Sequence, residues 1–224
     1  MRFVPVKTPW ILKSLYSDYI WDIRTDEKVL YLTFDDGPTP EITEFVLETL
    51  QQYKAMATFF CIGANIQKYP KLFKHVVTGG HSVGNHTQNH VKGWQTKLNE
   101  YLREVEQAQT MIKDAKSQTH PPNLNSKLFR PPYGQITKAQ GQKILSLDYQ
   151  IIMWDVLSFD WSAEVSEEKC LKNVLSKSKP GSIVTFHDSL KASRNLIYVL
   201  PKFLEYFSEI GFQFKPIDYQ LLRG

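Results

Sequence analysis

The sequence predicts an α/β protein whose parallel strands form either a doubly wound sheet or a closed barrel. Short apolar segments alternate along the chain with longer segments of helical periodicity. This alternation is typical of right-handed βαβ units, which place their strands in parallel. The 224 residues are 42% hydrophobic and 22% charged, as expected for a folded globular chain, and no linker divides them.

The predicted strands are short runs of mainly apolar residues that end at glycine, proline or polar residues. In chain order they are 29–33, 57–61, 81–84, 128–129, 149–156, 182–187 and 212–215. The helices show apolar residues three or four positions apart, and Thr39 can cap and Pro40 can open the first of them. A second helix begins near Pro70, and four further helices cover 98–112, 144–147, 166–178 and 193–209. No glycine-rich nucleotide fingerprint follows the first strand, which argues against a dinucleotide-binding domain.

The residues before the first strand form an N-terminal segment, 1–26, that we expect to pack on a single domain spanning 27–224. The apolar side chains of this segment with a rough helical spacing are Trp10, Ile11, Leu15 and Tyr16. We expect them to cover one end of the core rather than to bind a partner.

Charge and apolar patterning exclude several classes of protein. The formal net charge is only +4 and the basic residues are scattered, so we expect no nucleic-acid partner. No stretch approaches the ~20 apolar residues of a transmembrane helix, and we expect no transmembrane segment. The N-terminus lacks the features of a secretory signal. We therefore expect a cytoplasmic protein if the chain is complete, with an extracytoplasmic location as the alternative.

Two carboxylates, Asp35 and Asp36, lie side by side where the first strand ends and Gly37-Pro38 begins a turn. Adjacent carboxylates repel each other, and a bound cation or a shared proton commonly offsets the repulsion. A metal ion held by one carboxylate would leave the other available as a base. A turn in which an aspartate caps the next helix explains this run equally well.

Two histidines, His86 and His90, lie four residues apart, so on one helical turn both imidazoles would point the same way. Histidines in a polar loop are more often solvated than bound to metal. With Asp36, however, they complete a set of two imidazoles and one carboxylate. Such a set suits zinc or another first-row divalent ion.

Two further motifs follow strand ends. Arg130 begins a rigid proline-glycine loop that ends at Gly134, and an arginine beside Asp35 would keep that carboxylate ionised. A structural proline turn with a surface arginine is the alternative. His187 ends a buried strand, where a lone histidine is usually a core residue. Because the carboxyl ends of parallel strands share one edge, we expect these side chains to lie close together.

Taken jointly, the motifs resemble those of the polysaccharide deacetylases, also called the NodB-homology domain or carbohydrate esterase family 4. Four of the five family motifs occur in order: Thr33–Pro38, His86–His90, Arg130–Gly134 and Ile183–His187. The resemblance implies a distorted, incomplete (β/α) barrel. It also implies hydrolysis of the N-acetyl group of an N-acetylglucosamine-type sugar in a poly- or oligosaccharide. The implied cofactor is one divalent metal ion, zinc first, with cobalt, nickel or manganese as alternatives.

The resemblance also implies a role for each matching residue. The metal ligands would be Asp36, His86 and His90, the general base Asp35, its orienting partner Arg130, the oxyanion donor the Tyr133 backbone N–H and the general acid His187. Trp161, together with Tyr133, would form part of the substrate-binding wall.

The fifth motif is where this chain departs from the family pattern. The usual motif is Asp-x-x-Asp-Trp; Asp160 and Trp161 supply its second half, and Leu157 replaces the first aspartate. The resemblance assigns to that first aspartate the task of orienting and charging the acid histidine. Asp155 lies two residues earlier, on the same face of a continuous strand, and Asp188 is adjacent to His187. We therefore predict that Asp155 orients His187.

Three other functions are compatible with the same residues. A related amidase would act on a non-sugar amide or imide, and an O-acetyl esterase would act on acetylated xylan or a similar ester. A catalytically impaired carbohydrate-binding protein would bind oligosaccharides without releasing acetate, because of Leu157. Acetate release from N-acetylglucosamine oligomers separates these functions.

Overall fold

The structure, a computed structural model, describes residues 5–117, 127–219 and 222. Its strands form one sheet in which every strand pair is parallel. They are β1 (Val29–Asp35), β2 (Ala57–Cys61), β3 (Ser82–Asn85), β4 (Leu128–Phe129), β5 (Gln150–Ile151), β6 (Val156–Leu157), β7 (Ile183–His187) and β8 (Gln213–Phe214). The hydrogen-bonded order is β5-β4-β3-β2-β1-β7-β6, and β8 also pairs with β1.

The outer strands of this order, β5 and β6, are consecutive in the chain, with only residues 152–155 between them. That connection reaches at most roughly 19 Å. The same strands laid flat at a spacing of ~4.8 Å would separate β5 from β6 by about 29 Å. The sheet must therefore curl until its edges approach each other, which confirms the predicted distorted, incomplete (β/α) barrel.

Helices flank this curled sheet. They are α1 (Trp10–Leu15), α2 (Ile42–Gln52), α3 (Gly63–Lys68), α4 (Pro70–Thr78), α5 (Leu98–Ser117), α6 (Lys138–Ser146), α7 (Glu167–Lys177) and α8 (Ser193–Glu209). The helices predicted between strands are confirmed, whereas the short α3 was not predicted. Helix α2 begins at Ile42, later than Pro40, because Glu41 and Glu44 form a capping box there. None of the described helices is both long and apolar enough to cross a bilayer.

The prediction of one continuous strand over 149–156 is wrong, because this segment divides into β5 and β6. The carbonyl oxygens of residues 152–155 bond to the Arg130 guanidinium and to Thr8 instead of to a neighbouring strand. The backbone between β5 and β6 is thus satisfied by groups distant in sequence, which periodicity does not reveal.

Alternate side chains of β1 face opposite sides of the sheet. On one side, Leu30, Leu32 and Phe34 are fully buried in a cluster beneath the helices. On the other side, Tyr31 belongs to the cluster that fills the interior of the barrel. Asp35 has the same parity as Tyr31, so its carboxylate lies at the interior end of the strand.

The expectation that the apolar side chains of the N-terminal segment cover the core is wrong. They are exposed, by 74% for Trp10, 55% for Ile11, 72% for Leu15 and 45% for Tyr16. The charged side chains face the domain instead, because Lys7 and Lys13 both pair with the fully buried carboxylate of Asp155. The boundary between segment 1–26 and domain 27–224 stays a prediction.

Candidate metal centre and active site

The candidate site lies at the carboxyl ends of the central strands, the end at which parallel α/β folds carry their functional residues. The register between β1 and β7 places Asp35 opposite His187. Asp36, His86 and Arg130 directly follow the last residues of β1, β3 and β4. The sheet thus brings residues from four separate sequence motifs to one edge.

Three side chains at this edge form a group that can hold a metal ion. Asp36, His86 and His90 offer ligand atoms that lie within 4.8 Å of one another. Asp36 Oδ1 is 3.1 Å from His90 Nε2 and 3.6 Å from His86 Nε2. Among the described residues, none donates a hydrogen bond to this buried oxygen. An unsatisfied carboxylate oxygen that faces two imidazole nitrogens fits a divalent cation.

The protonation of these groups also suits a cation. His86 donates its Nδ1–H to the carbonyl oxygen of Arg130 at 2.7 Å, so Nε2 keeps its lone pair. Burial lowers the pKa of His86 to about 4, which keeps the ring neutral near pH 7. Burial opposes ionisation of Asp36, but the contact with His90 and the charge of His187 hold the pKa of its carboxyl well below the usual value. An ionised carboxylate therefore faces a neutral imidazole.

The two histidines converge through a loop and not through the helical turn that their spacing suggested. Thr87 and His90 adopt left-handed backbone, with φ of 64° and 55°, and turn the chain back on itself. Asn85 Oδ1 accepts a hydrogen bond from the Thr87 N–H at 2.9 Å. Glu104 of α5 accepts one from the Asn89 N–H at 2.8 Å. Side chains at both ends of the loop therefore fix the two imidazoles.

The neighbouring carboxylate, Asp35, is buried and bound by Arg130, as predicted from the motif. Arg130 Nη1 donates to Asp35 Oδ1 at 2.7 Å and to Thr33 Oγ1 at 2.7 Å. The other guanidinium nitrogens donate to the carbonyl oxygens of Ile152 and Met153. Arg130 is fully buried, and this set of acceptors fixes its orientation. Asp35 is thus held next to the metal-binding group without belonging to it.

His187 is held by Asp160. Its Nδ1 lies 2.9 Å from Asp160 Oδ1, and its backbone N–H donates to Asp160 Oδ2 at 2.7 Å. Burial disfavours the imidazolium, but the charge and hydrogen bond of Asp160, with the charges of Asp36 and Asp35, raise the pKa of His187 to about 9. His187 therefore carries a proton near pH 7, as a general acid requires.

The prediction that Asp155 orients His187 is wrong. The backbone N–H of Asp155 donates to the Ile183 carbonyl at 3.0 Å, which places Asp155 four residues, or about 13 Å, before His187 along the parallel strands. The side chains that bind its carboxylate are Lys7, Lys13 and Ser182. The carboxylate that does bind His187 is that of Asp160, which was predicted only as the second half of the fifth motif.

Two aromatic side chains border the site. Tyr133 lies on a 3₁₀ turn with φ of 59°, and its ring centroid is 4.5 Å from that of His90. The Trp161 ring centroid is 4.6 Å from that of His187. The two predicted substrate-binding residues therefore lie beside a predicted metal ligand and the predicted acid. The catalytic roles assigned to all these residues stay predictions.

Comparisons with known proteins match this chain to deacetylases of carbohydrate polymers and oligomers. The family model described as polysaccharide deacetylase matches residues 22–152. A peptidoglycan-N-acetylglucosamine deacetylase of Bacillus cereus is 35% identical over 205 residues, 91% of this chain and 92% of that protein. A chitooligosaccharide deacetylase of Azorhizobium caulinodans is 30% identical over 166 residues, 74% of this chain and 76% of that protein.

The fold is also that of a solved structure. It is a peptidoglycan N-acetylglucosamine deacetylase in complex with 4-naphthalen-1-yl-N-oxidanyl-benzamide, and it superposes with a TM-score of 0.83. The match covers 94% of this chain and 95% of that one at 28% sequence identity. The likeness therefore extends over the whole curled sheet and its helices.

Proposed function

Since this chain belongs to the polysaccharide deacetylase family, it is a hydrolase of carbon–nitrogen bonds other than peptide bonds, and we propose that it removes N-acetyl groups from the N-acetylglucosamine residues of peptidoglycan. The observation that carries this proposal is the metal-binding group Asp36, His86 and His90 beside the separately held carboxylate of Asp35. Metal-assisted amide hydrolysis requires such a metal-binding group and, next to it, a base that is not itself a metal ligand.

We propose zinc as the ion that Asp36, His86 and His90 hold, with cobalt, nickel or manganese as alternatives. Three protein ligands, two of them imidazoles, are the donor set of catalytic zinc sites, which keep a position open. When bound, a divalent ion supplies Lewis-acid polarisation of the acetamide carbonyl and lowers the pKa of a water from its bulk value towards ~7.

Asp35 is the proposed general base. Its carboxylate accepts the proton of the attacking water, and the charge of buried Arg130 keeps that carboxylate oriented before the reaction. Because Arg130 occupies Oδ1, proton transfer falls to the remaining oxygen, Oδ2. Attack on the acetamide carbonyl produces a tetrahedral oxyanion. The Tyr133 backbone N–H is the proposed donor to that oxygen, and loss of one such donor typically costs about 3–4 kcal/mol in the barrier.

His187 is the proposed general acid. Asp160 occupies Nδ1, so Nε2 is the nitrogen that can donate a proton to the departing amine. Without that proton the amine would have to leave as an unstable anion. The products are acetate and a free glucosamine residue.

Peptidoglycan is the favoured substrate because the relative from Bacillus cereus matches this chain along almost its full length. A chitin oligomer is the second candidate, since the relative from Azorhizobium caulinodans also matches most of the chain. A non-catalytic carbohydrate-binding protein is disfavoured, because Asp160 supplies His187 with the carboxylate partner that Leu157 cannot provide. An O-acetyl esterase or a non-sugar amidase would use the same metal-binding group.

The decisive experiment measures acetate release by the purified chain from peptidoglycan glycan strands, chitotetraose, acetylated xylan and a non-sugar acetamide. Each substrate is tested with the protein as purified, with the protein after chelation, and with the chelated protein after zinc is added back. We expect release from glycan strands that chelation abolishes and zinc restores. Release from chitotetraose alone would establish the second candidate, and binding without release from any substrate would overturn the proposal. Fractionation of cells that express the chain would test the cytoplasmic location expected from the sequence.

A further inference from the structure

The backbone of the metal-binding aspartate is in an unfavourable conformation. Asp36 has a φ of 82°, in the left-handed region that residues other than glycine rarely adopt. Such a conformation is strained and persists only where its surroundings hold it. The position of the Asp36 carboxylate therefore depends on the groups that fix the Asp36-Gly37 turn.

One of these groups comes from α3, the short helix that was not predicted. Asn65 donates from Nδ2 to the backbone carbonyl of Asp36 at 2.7 Å. The N–H of Ile62, just before α3, donates to the Gly37 carbonyl at 3.0 Å. Both carbonyl groups of the turn are therefore held from the same side.

The other group is Asp188, a fully buried residue next to the proposed acid. Its Oδ1 accepts the Gly37 N–H at 3.1 Å, and its Oδ2 accepts the Thr43 hydroxyl of α2 at 2.5 Å. Its own N–H donates to the Asp35 carbonyl at 3.0 Å. A Cβ atom on Gly37 would lie 1.9 Å from Asp188 Oδ2, so only glycine allows this approach.

We propose that Asp188 and Asn65 are positioning residues that hold the Asp36-Gly37 turn so that the Asp36 carboxylate meets His86 and His90. Neither residue belongs to the metal-binding group; both act through the backbone of the turn. Asp188 also ties that turn to the strand end that carries His187, so one carboxylate fixes the spacing between the metal ligand and the acid. This inference rests on the proposed function, because it concerns the same metal centre.

The test measures the zinc dissociation constant of the whole chain by competition with a chromophoric chelator. Loss of a residue that orients a metal ligand typically weakens metal binding by about 10–100-fold. We expect that effect for Asp188→Ala. Asp188→Asn should stay within about threefold of the parent, because its amide can accept from Gly37 and donate to Thr43. Asn65→Ala, which removes one hydrogen bond from a half-buried site, should weaken binding several-fold and provides a second variant if Asp188→Ala does not fold.

The matched control is Asp155→Asn, which alters another fully buried carboxylate at the opposite end of the strands. It should lower the melting temperature and leave zinc affinity unchanged. Cobalt-loaded Asp188→Ala should show an altered visible spectrum, and cobalt-loaded Asp155→Asn should not.

Three results would overturn the positioning role. They are parental zinc affinity in both Asp188→Ala and Asn65→Ala, an equal loss in Asp188→Asn and Asp188→Ala, or an equal loss in Asp155→Asn. The second result would assign the effect to charge, and the third to general destabilisation. A parent chain that binds no zinc, cobalt, nickel or manganese would instead overturn the metal centre itself, and the positioning role with it.

Discussion

Asp160 binds His187 twice, through the ring Nδ1 at 2.9 Å and through the backbone N–H at 2.7 Å. The two contacts fix both the rotation of the imidazole and the strand end that carries it. Leu157, which replaces an aspartate of the family motif, therefore leaves the proposed acid with a carboxylate partner. The charge on His187 depends on this pair more than on any other contact in the site.

Replacement of Asp160 by asparagine should move the alkaline limb of the rate profile. His187 donates its proton only when protonated, so activity falls as pH rises through its pKa, about 9 in the parent. Without the Asp160 charge that pKa should fall towards ~6.5, the ordinary value for histidine. We expect the alkaline limb of kcat/KM to shift down by more than one pH unit. Asp155→Asn is the control, and an equal shift in both variants would contradict the pairing.

Replacement of Asp35 by asparagine should separate the base from the metal site. The amide of Asp35→Asn keeps an oxygen for Arg130 but cannot accept a proton at neutral pH. We expect kcat to fall by about 10²–10⁴-fold, the usual contribution of a general base. Elemental analysis should still find one metal ion per chain, because Asp35 is not among the ligands. Retained turnover would reject Asp35 as the base, and loss of the ion would make it a ligand.

Replacement of His86 by alanine should remove the ion and, with it, the activity. His86 presents Nε2 to Asp36 because its Nδ1–H is bound to the Arg130 carbonyl, so its loss leaves two ligands. We expect less than about one tenth of the parental metal content after dialysis, since a catalytic zinc site needs three protein ligands. His81→Ala is the matched control, since burial also lowers the pKa of His81 to about 4 but it bonds to Ala57 instead of the site. Full metal content in His86→Ala would remove it from the ligand set.

The sequence predicted those features that depend on neighbouring residues. The end of the first strand placed Asp35 and Asp36 side by side at the carboxyl edge of the sheet. The spacing of His86 and His90 indicated that both bind one metal ion, even though the loop between them is not helical. In each case the relevant information lies within a few residues, and the parallel sheet then brings the strand ends together.

Two features that depend on residues distant in sequence were predicted wrongly, although the pairing of Arg130 with Asp35 was predicted. The sequence around the fifth motif contains both Asp155 and Asp160, and only the register of β6 against β7 decides which of them reaches His187. The exposure of the apolar face of α1 also depends on a residue distant in sequence. The apolar spacing around Trp10 suggested a buried face, whereas the buried charge of Asp155 draws Lys13 inward. A fully buried carboxylate is costly without counter-charges, and nothing local reveals that requirement.

The ion pairs of Asp155 with Lys7 and Lys13 should make the free energy of unfolding depend on pH. Burial opposes ionisation of Asp155, but hydrogen bonds from Lys13, Lys7 and Ser182 outweigh burial and hold its pKa below the usual value. A depressed folded-state pKa gives stability that is present above the unfolded value of ~3.9 and is lost as pH falls through the folded one. The parent should therefore lose this contribution progressively in acid.

Asp155→Asn should remove the same contribution at neutral pH. Loss of one partner of a buried ion pair costs about 3–5 kcal/mol, and the partial exposure of both lysines reduces the expected loss to about 2–3 kcal/mol. Urea unfolding at pH 7 measures it directly. Asp22→Asn, which breaks the more exposed pair with Lys13, should cost less than ~1 kcal/mol. Equal losses in the two variants would mean that Asp155 is no more important than a surface partner, and that the N-terminal segment is held by its backbone contacts instead.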